Sequence, residues 1–158
     1  MHQKLEASID LYPADLYVIH RDAEAQDPAQ REAEIAEAVA RLQARPSYIP
    51  IIPVRMQESW LLIDERALRR AAQKPRGTCV LGLPPLATLE GVADPRGTLV
   101  RLLLEASETR GRRRRRFNVA AAIYQLSNHI ADYSPLRTLP AFQRFERAVQ
   151  NEIVAHGW

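Results

Sequence analysis

Two apolar rhythms alternate along this chain. Leu16-Tyr-Val-Ile19 is a short continuous apolar run with β-branched and aromatic residues, which reads as a buried strand. Asp27-Pro28 then sets a helix start, with Asp27 as N-cap and Pro28 in the first turn. From there to Arg45, apolar residues recur at helical spacing at Ile35, Ala38, Val39 and Leu42. Arg45-Pro46 breaks that pattern, and Tyr48 to Val54 (Tyr-Ile-Pro-Ile-Ile-Pro-Val) reads as a second strand. Proline cannot donate to a ladder, so this strand is expected at a sheet edge or with its ends near its prolines. Strand, helix and strand make a βαβ unit with parallel strands and a right-handed crossover, so both strands finish at the same edge of the sheet.

The flanking pattern is helical. Residues 1–12 make a short amphipathic helix with Leu5, Ile9 and Tyr12 near one face, ended by Pro13. After the second strand, residues 55–64 form a turn into a short helix, and Glu65 to Ala72 continues as helix up to the Lys74-Pro75-Arg76-Gly77 loop. Residues 78–93 show little period and read as mostly irregular. Asp94-Pro95 opens a helix through about Glu108, with Leu99, Leu102, Leu103 and Ala106 as its apolar face. Phe117 to Tyr133 follows, with Val119, Ile123, Leu126 and Ile130 at helical spacing. Ser134-Pro135 breaks it, and a last helix from Pro140 to about Ala155 turns Phe142, Phe145, Val149 and Ile153 inward. The expected class is α/β: a small parallel sheet with a helical C-terminal half, in a single domain whose residues 94–158 form a helical extension. Two parallel strands are too few to stand alone. Strands missing from this reading, a strand from another chain such as a second copy, or sequence preceding residue 1 would complete the sheet.

Composition narrows the class. With 158 residues and 46% hydrophobic content there is material for one sizeable core. No apolar stretch approaches the roughly 18 residues that cross a bilayer. The N-terminus lacks the apolar core of a signal peptide, so no membrane contact and a cytoplasmic location are expected. The single cysteine, Cys79, excludes an internal disulfide and a thiolate metal cluster. Net charge is +3 but lopsided: residues 1–64 hold 6 Lys/Arg against 11 Asp/Glu, and the remainder holds 16 against 8. An acidic site in the first half and a polyanion-facing second half would produce this asymmetry; so would two faces that attract each other within the fold.

The chemistry-bearing residues gather at the strand ends. Asp22 and Glu24 follow the first strand and Glu58 follows the second, with Asp64 a turn or two further on. Open α/β sheets place ligands at the carboxyl ends of their strands. Clustered carboxylates repel one another, and a hard cation such as Mg (or Mn) relieves that repulsion. Arg21 and Arg55 stand beside the acids and suit a phosphate held next to the metal. The plainer alternative makes Asp22, Glu24 and Glu58 ordinary loop and helix residues. Arg112, Arg113, Arg114, Arg115 and Arg116 are five consecutive positive charges, preceded by Arg110. Their repulsion calls for a counter-charge, either acids of the first half or the phosphates of a nucleic acid. Lacking aromatic interleaving, with Phe117 assigned to the core, the run points to sequence-nonspecific binding. His20 and His129 read as structural, and Trp60 as core. There is no glycine-rich phosphate loop, zinc-ligand spacing or serine-nucleophile elbow.

His20-Arg-Asp-Ala-Glu24 after an apolar strand, followed by Glu58-Ser-Trp-Leu-Leu-Ile-Asp64, resembles a large family of uncharacterised bacterial proteins related to TOPRIM (topoisomerase–primase) domains and to RloB-like proteins. Ser134-Pro-Leu-Arg-Thr-Leu-Pro-Ala-Phe142 is similar to that family's C-terminal part. The resemblance implies a TOPRIM-like sheet and magnesium-dependent phosphodiester cleavage of nucleic acid, in phage defence beside an ATPase partner. Asp22, Glu24 and Glu58 would be catalytic and, with Asp64, metal-binding. Arg21, Arg55 and Arg112 to Arg116 would hold phosphates. Two departures qualify the expectation. The family's first strand, which carries a general-base glutamate, has no counterpart here, and the acidic pair is Asp-Ala-Glu where the family has two aspartates. The competing class is a catalytically inactive adaptor or regulatory subunit that binds a protein or nucleic-acid partner.

Overall fold

A computed structural model describes residues 2–158; Met1 lies outside the described residues. The chain is mixed α/β, mainly helical, with a two-stranded parallel sheet. It divides into two compact units: the segment up to Val54 together with Pro140–Trp158, and Arg55–Leu139. The division therefore falls after the second strand and before the last helix.

The first unit contains α1 (His2–Leu11), β1 (Tyr17–His20), α2 (Pro28–Ala40), β2 (Tyr48–Ile51) and α7 (Pro140–His156). The Asp27 side chain accepts from the Ala29 N–H at 2.9 Å, satisfying a donor that the first helical turn leaves free. α2 ends at Ala40 rather than Arg45, but Leu42 still packs with Ile19, Ala23, Ile35, Val39 and Ile52 in the core beneath the sheet. Burying side chains of this size stabilises by about 1.5–3 kcal/mol each. Leu5 and Ile9 of α1 pack against the same cluster, whereas Tyr12 points to solvent.

The register explains both prolines of the second strand. Tyr17 pairs with Tyr48 and Ile19 with Pro50; the Tyr17 N–H donates to Ser47 O and the Arg21 N–H to Ile51 O. Odd positions of the two strands therefore bond to each other, and Pro50 turns its nitrogen away from β1, where no ladder bond is lost. At Pro53 the missing donor would have faced β1, and β2 stops at Ile51 before reaching it. By the same geometry the even residues Val18 and His20 turn their backbone groups away from β2, toward β1's free edge.

The second unit is helical: α3 (Glu65–Ala71), α4 (Pro95–Ala106), α5 (Gly111–Arg115) and α6 (Val119–His129), with 3-10 segments at Gln57–Leu61, Leu86–Gly91 and Ser134–Thr138. Leu99, Leu102, Leu103 and Ala106, the apolar stripe of α4, are fully enclosed. Leu68, Leu89, Leu126, Leu136 and Trp60 are buried too. The run expected as one helix from Phe117 to Tyr133 is shorter, because Asn118 caps α6 by accepting from the Ala121 N–H at 3.0 Å.

α7 departs most from expectation. Ala141 is its one buried residue; Phe142, Phe145 and Val149 are half-buried and Ile153 is exposed. It packs on β2, the strand edge that Pro50 occupies, and Ser47 meets His156 at 2.8 Å.

Candidate functional site

The strand end at Asp22 is held firmly. Ala23 donates to Pro53 O at 2.9 Å and Ala25 to Val54 O at 2.8 Å, continuing the pairing past the last ladder residue. Ala23 is fully buried, so its neighbours Asp22 and Glu24 are left at the surface of the core. Glu24 and Ala25 both adopt left-handed φ angles of +53° and +64°, an uncommon conformation for residues with a side chain. This turn carries the Glu24 carboxylate to Arg31 at 3.5 Å.

Arg31 was not legible as a site residue, although a signal existed. It lies four positions before Ile35, on the apolar stripe of α2, and it is buried. Its guanidinium bonds Glu34 at 2.7 and 3.0 Å as well as meeting Glu24. Its Nε makes no hydrogen bond among the described residues. Asp22 is 3.1 Å from the His20 Nε2, and Arg21 is 3.7 Å from Glu34. His20 and Arg21 border a groove of about 620 Å³ with Lys4, Glu34 and Arg41.

Glu58, Asp64 and Arg55 belong to the second unit. Glu58 is 3.5 Å from Arg96, and Asp64 caps α3 by accepting from the Ala67 N–H at 3.0 Å. Each carboxylate in the expected metal set is thus engaged by a cation, an imidazole or a helix N-terminus. Among the described residues no group of three or more His, Cys, Asp and Glu side chains is placed to hold a metal ion.

The arginine run is different. Arg110 and Arg112 to Arg116 are exposed, and α5 buries none of its residues. Arg114 donates to the Leu104 carbonyl at 3.2 Å. None of the run lies within ion-pairing distance of an acid among the described residues of its own unit. The acids of this unit are occupied elsewhere. Glu65 and Glu105 pair within their helices with Arg69 and Arg101, and Asp94 caps α4. Asp132 binds the N–H and hydroxyl of Ser134, which holds its carboxyl below the usual range. Glu108 accepts from the backbone N–H groups of Thr78 and Cys79 at 2.5 and 2.8 Å; the bond from Cys79 and then that from Thr78 depress its pKa.

Beside the run, the end of α3 and the start of α6 border a groove of about 280 Å³. Phe117, expected in the core, is half-buried and lines this groove with Arg116. Cys79 plays a structural part: its thiol faces the Glu105 carbonyl at 3.2 Å, and its own carbonyl accepts from Arg69 at 2.6 Å.

Charge separates between the units. The first holds 7 Lys/Arg against 11 Asp/Glu, a balance of −4, and the second holds 15 against 8, a balance of +7. No described helix is long and apolar enough to cross a membrane. No protein-family model, curated protein or solved structure matches this chain.

Proposed function

We propose that this protein binds nucleic acid through the arginine segment of its helical unit. The observation that carries the reading is the unpaired state of Arg110, Arg112, Arg113, Arg115 and Arg116 in a unit whose acids have other partners. Like charges packed this densely repel, and phosphates relieve that repulsion while releasing condensed counterions. This is the adaptor or binding-module class, with nucleic acid as the partner. The TOPRIM-like relation is proposed alongside it, supported by the parallel β1–α2–β2 unit and by Asp22 and Glu24 after β1.

Salt dependence tests the proposal. Binding of a fluorescein-labelled, mixed-sequence oligonucleotide is measured by anisotropy across a salt series. Affinity is expected to fall linearly on a log–log plot, with a slope of about 0.7–0.9 per neutralised phosphate. Replacing Arg112, Arg113, Arg115 and Arg116 by Gln is expected to flatten the slope by roughly 3. An unchanged slope in that variant, or no binding by the wild type at low salt, would reject the arginine segment as the interface.

A further inference from the structure

Resting on the proposed nucleic-acid interface, we infer that the groove beside Arg116 takes a single unpaired base, so that the ligand is single-stranded. The groove lies where α3 ends and α6 begins, contiguous in sequence with the arginine run. Phe117 supplies a half-buried aromatic surface, and Ala71 and Ala121 keep the adjoining walls small. Gln73 and Gln125 line the same groove, and their side-chain amides make no hydrogen bond among the described residues. Gln73 is held there by a left-handed turn at φ +57° directly after α3. A planar ring carrying donors and acceptors on its edge matches these walls: a π face for Phe117 and polar atoms for the two amides.

Arg116 belongs to both the groove and the run, so a base in the groove places its own phosphates on the arginines. Proteins that hold single strands combine these two parts, a cationic track and an aromatic platform. A base paired within a duplex is stacked on both faces and has its hydrogen-bonding edge occupied, so it cannot enter without unpairing. The groove therefore discriminates by strandedness, and weakly if at all by sequence, because every base offers a π face and amides can donate or accept.

The test uses the whole chain and two labelled probes, a twelve-nucleotide oligothymidine and a mixed-sequence duplex of equal length, at one salt concentration. The single strand is expected to bind roughly tenfold more tightly, the contribution of one stacked base. Ala121→Trp fills the groove from an exposed helical position, and Gln125→Glu places a negative charge in it. Both are expected to bring single-strand binding down to the duplex level while leaving duplex binding unchanged. Equal affinity for the two probes, with neither variant altering it, would overturn the base groove and leave the arginine interface standing. Displacement by polyglutamate as effective as by unlabelled oligothymidine would assign the surface to an acidic protein segment, again overturning the groove. Absence of binding by either probe would remove this inference and the nucleic-acid reading together.

Discussion

Arg31 shows how a buried charge organises the acidic strand end. Its guanidinium is enclosed, while its partners Glu24 and Glu34 keep access to water. Removing the arginine therefore leaves no stranded carboxylate, and the loss is mainly packing. Arg31→Ala is expected to lower unfolding free energy by about 1–2 kcal/mol, and Arg31→Met, which keeps the aliphatic stem, by under about 1 kcal/mol. Urea denaturation of the two variants measures this; equal losses would show that the ion pairs, not the stem, stabilise α2. Glu108 is the complementary case, an exposed carboxylate fixed by two backbone donors. Its pKa is depressed below the ordinary 4.5, so its stabilisation is present above that unfolded value and is lost as pH falls through the folded one. Glu108→Ala is expected to lower the melting temperature at neutral pH, with the gap to wild type narrowing as pH falls below 4.5. A gap constant with pH would show that ionisation of Glu108 is not what anchors residues 78 and 79. A methyl group at Gly77 would come within 2.9 Å of that carboxylate and 3.1 Å of the Lys74 carbonyl, so the carboxylate would have to shift.

At the scale of elements, burial separates helices of similar sequence character. α4 and α7 both have an apolar stripe, but the α4 stripe is sealed in the helical unit whereas α7 buries only Ala141. Leu102→Ala is expected to cost about 2–5 kcal/mol, the range for deleting an enclosed leucine. Ile153→Ala is expected to cost less than about 0.5 kcal/mol, as for ordinary surface changes. Matched melts of the two variants check the contrast, and a large loss at Ile153 would mean that a contact covers this end of α7 in solution. The prolines of the second strand teach the same lesson about position. Pro50 is tolerated because its nitrogen faces outward, and Pro53 ends the ladder because its nitrogen would face inward. Periodicity located every helix of more than ten residues, because a one-sided apolar stripe is needed wherever a helix meets a core. The ends of α2 and α6 moved inward, because caps and tertiary contacts set where helices stop.

For the whole molecule, charge segregation between an acidic and a basic unit is the feature that binding can exploit. The expectation of magnesium chemistry draws its carboxylates from both units, Asp22 and Glu24 from the first and Glu58 and Asp64 from the second. The engagement of Asp22, Glu24, Glu58 and Asp64 leads us to expect that magnesium or manganese shifts the melting temperature of wild type and Asp22→Ala equally. Nicking of plasmid DNA is expected to be no greater for wild type than for Asp22→Ala or Glu58→Ala. A shift or nicking confined to the wild type would support the metal-dependent reading.

The sequence by itself determined the βαβ unit, the helical second half, the enclosed faces of α2 and α4 and the dense positive charge of the arginine run. These are properties of period, propensity and charge density, which neighbouring residues alone establish. Only the tertiary structure decided the rest. Spacing brought Asp22, Glu24 and Glu58 to the ends of strands, but it could not reveal that Arg31, His20 and Arg96 engage them. Nor could it show that the arginines pair with no acid among the described residues of their own unit, because pairing depends on which distant side chains the fold delivers. Phe117 moved from the core to a groove wall for the same reason: apolar character decides that a residue avoids water, and the packing around it decides what covers each face.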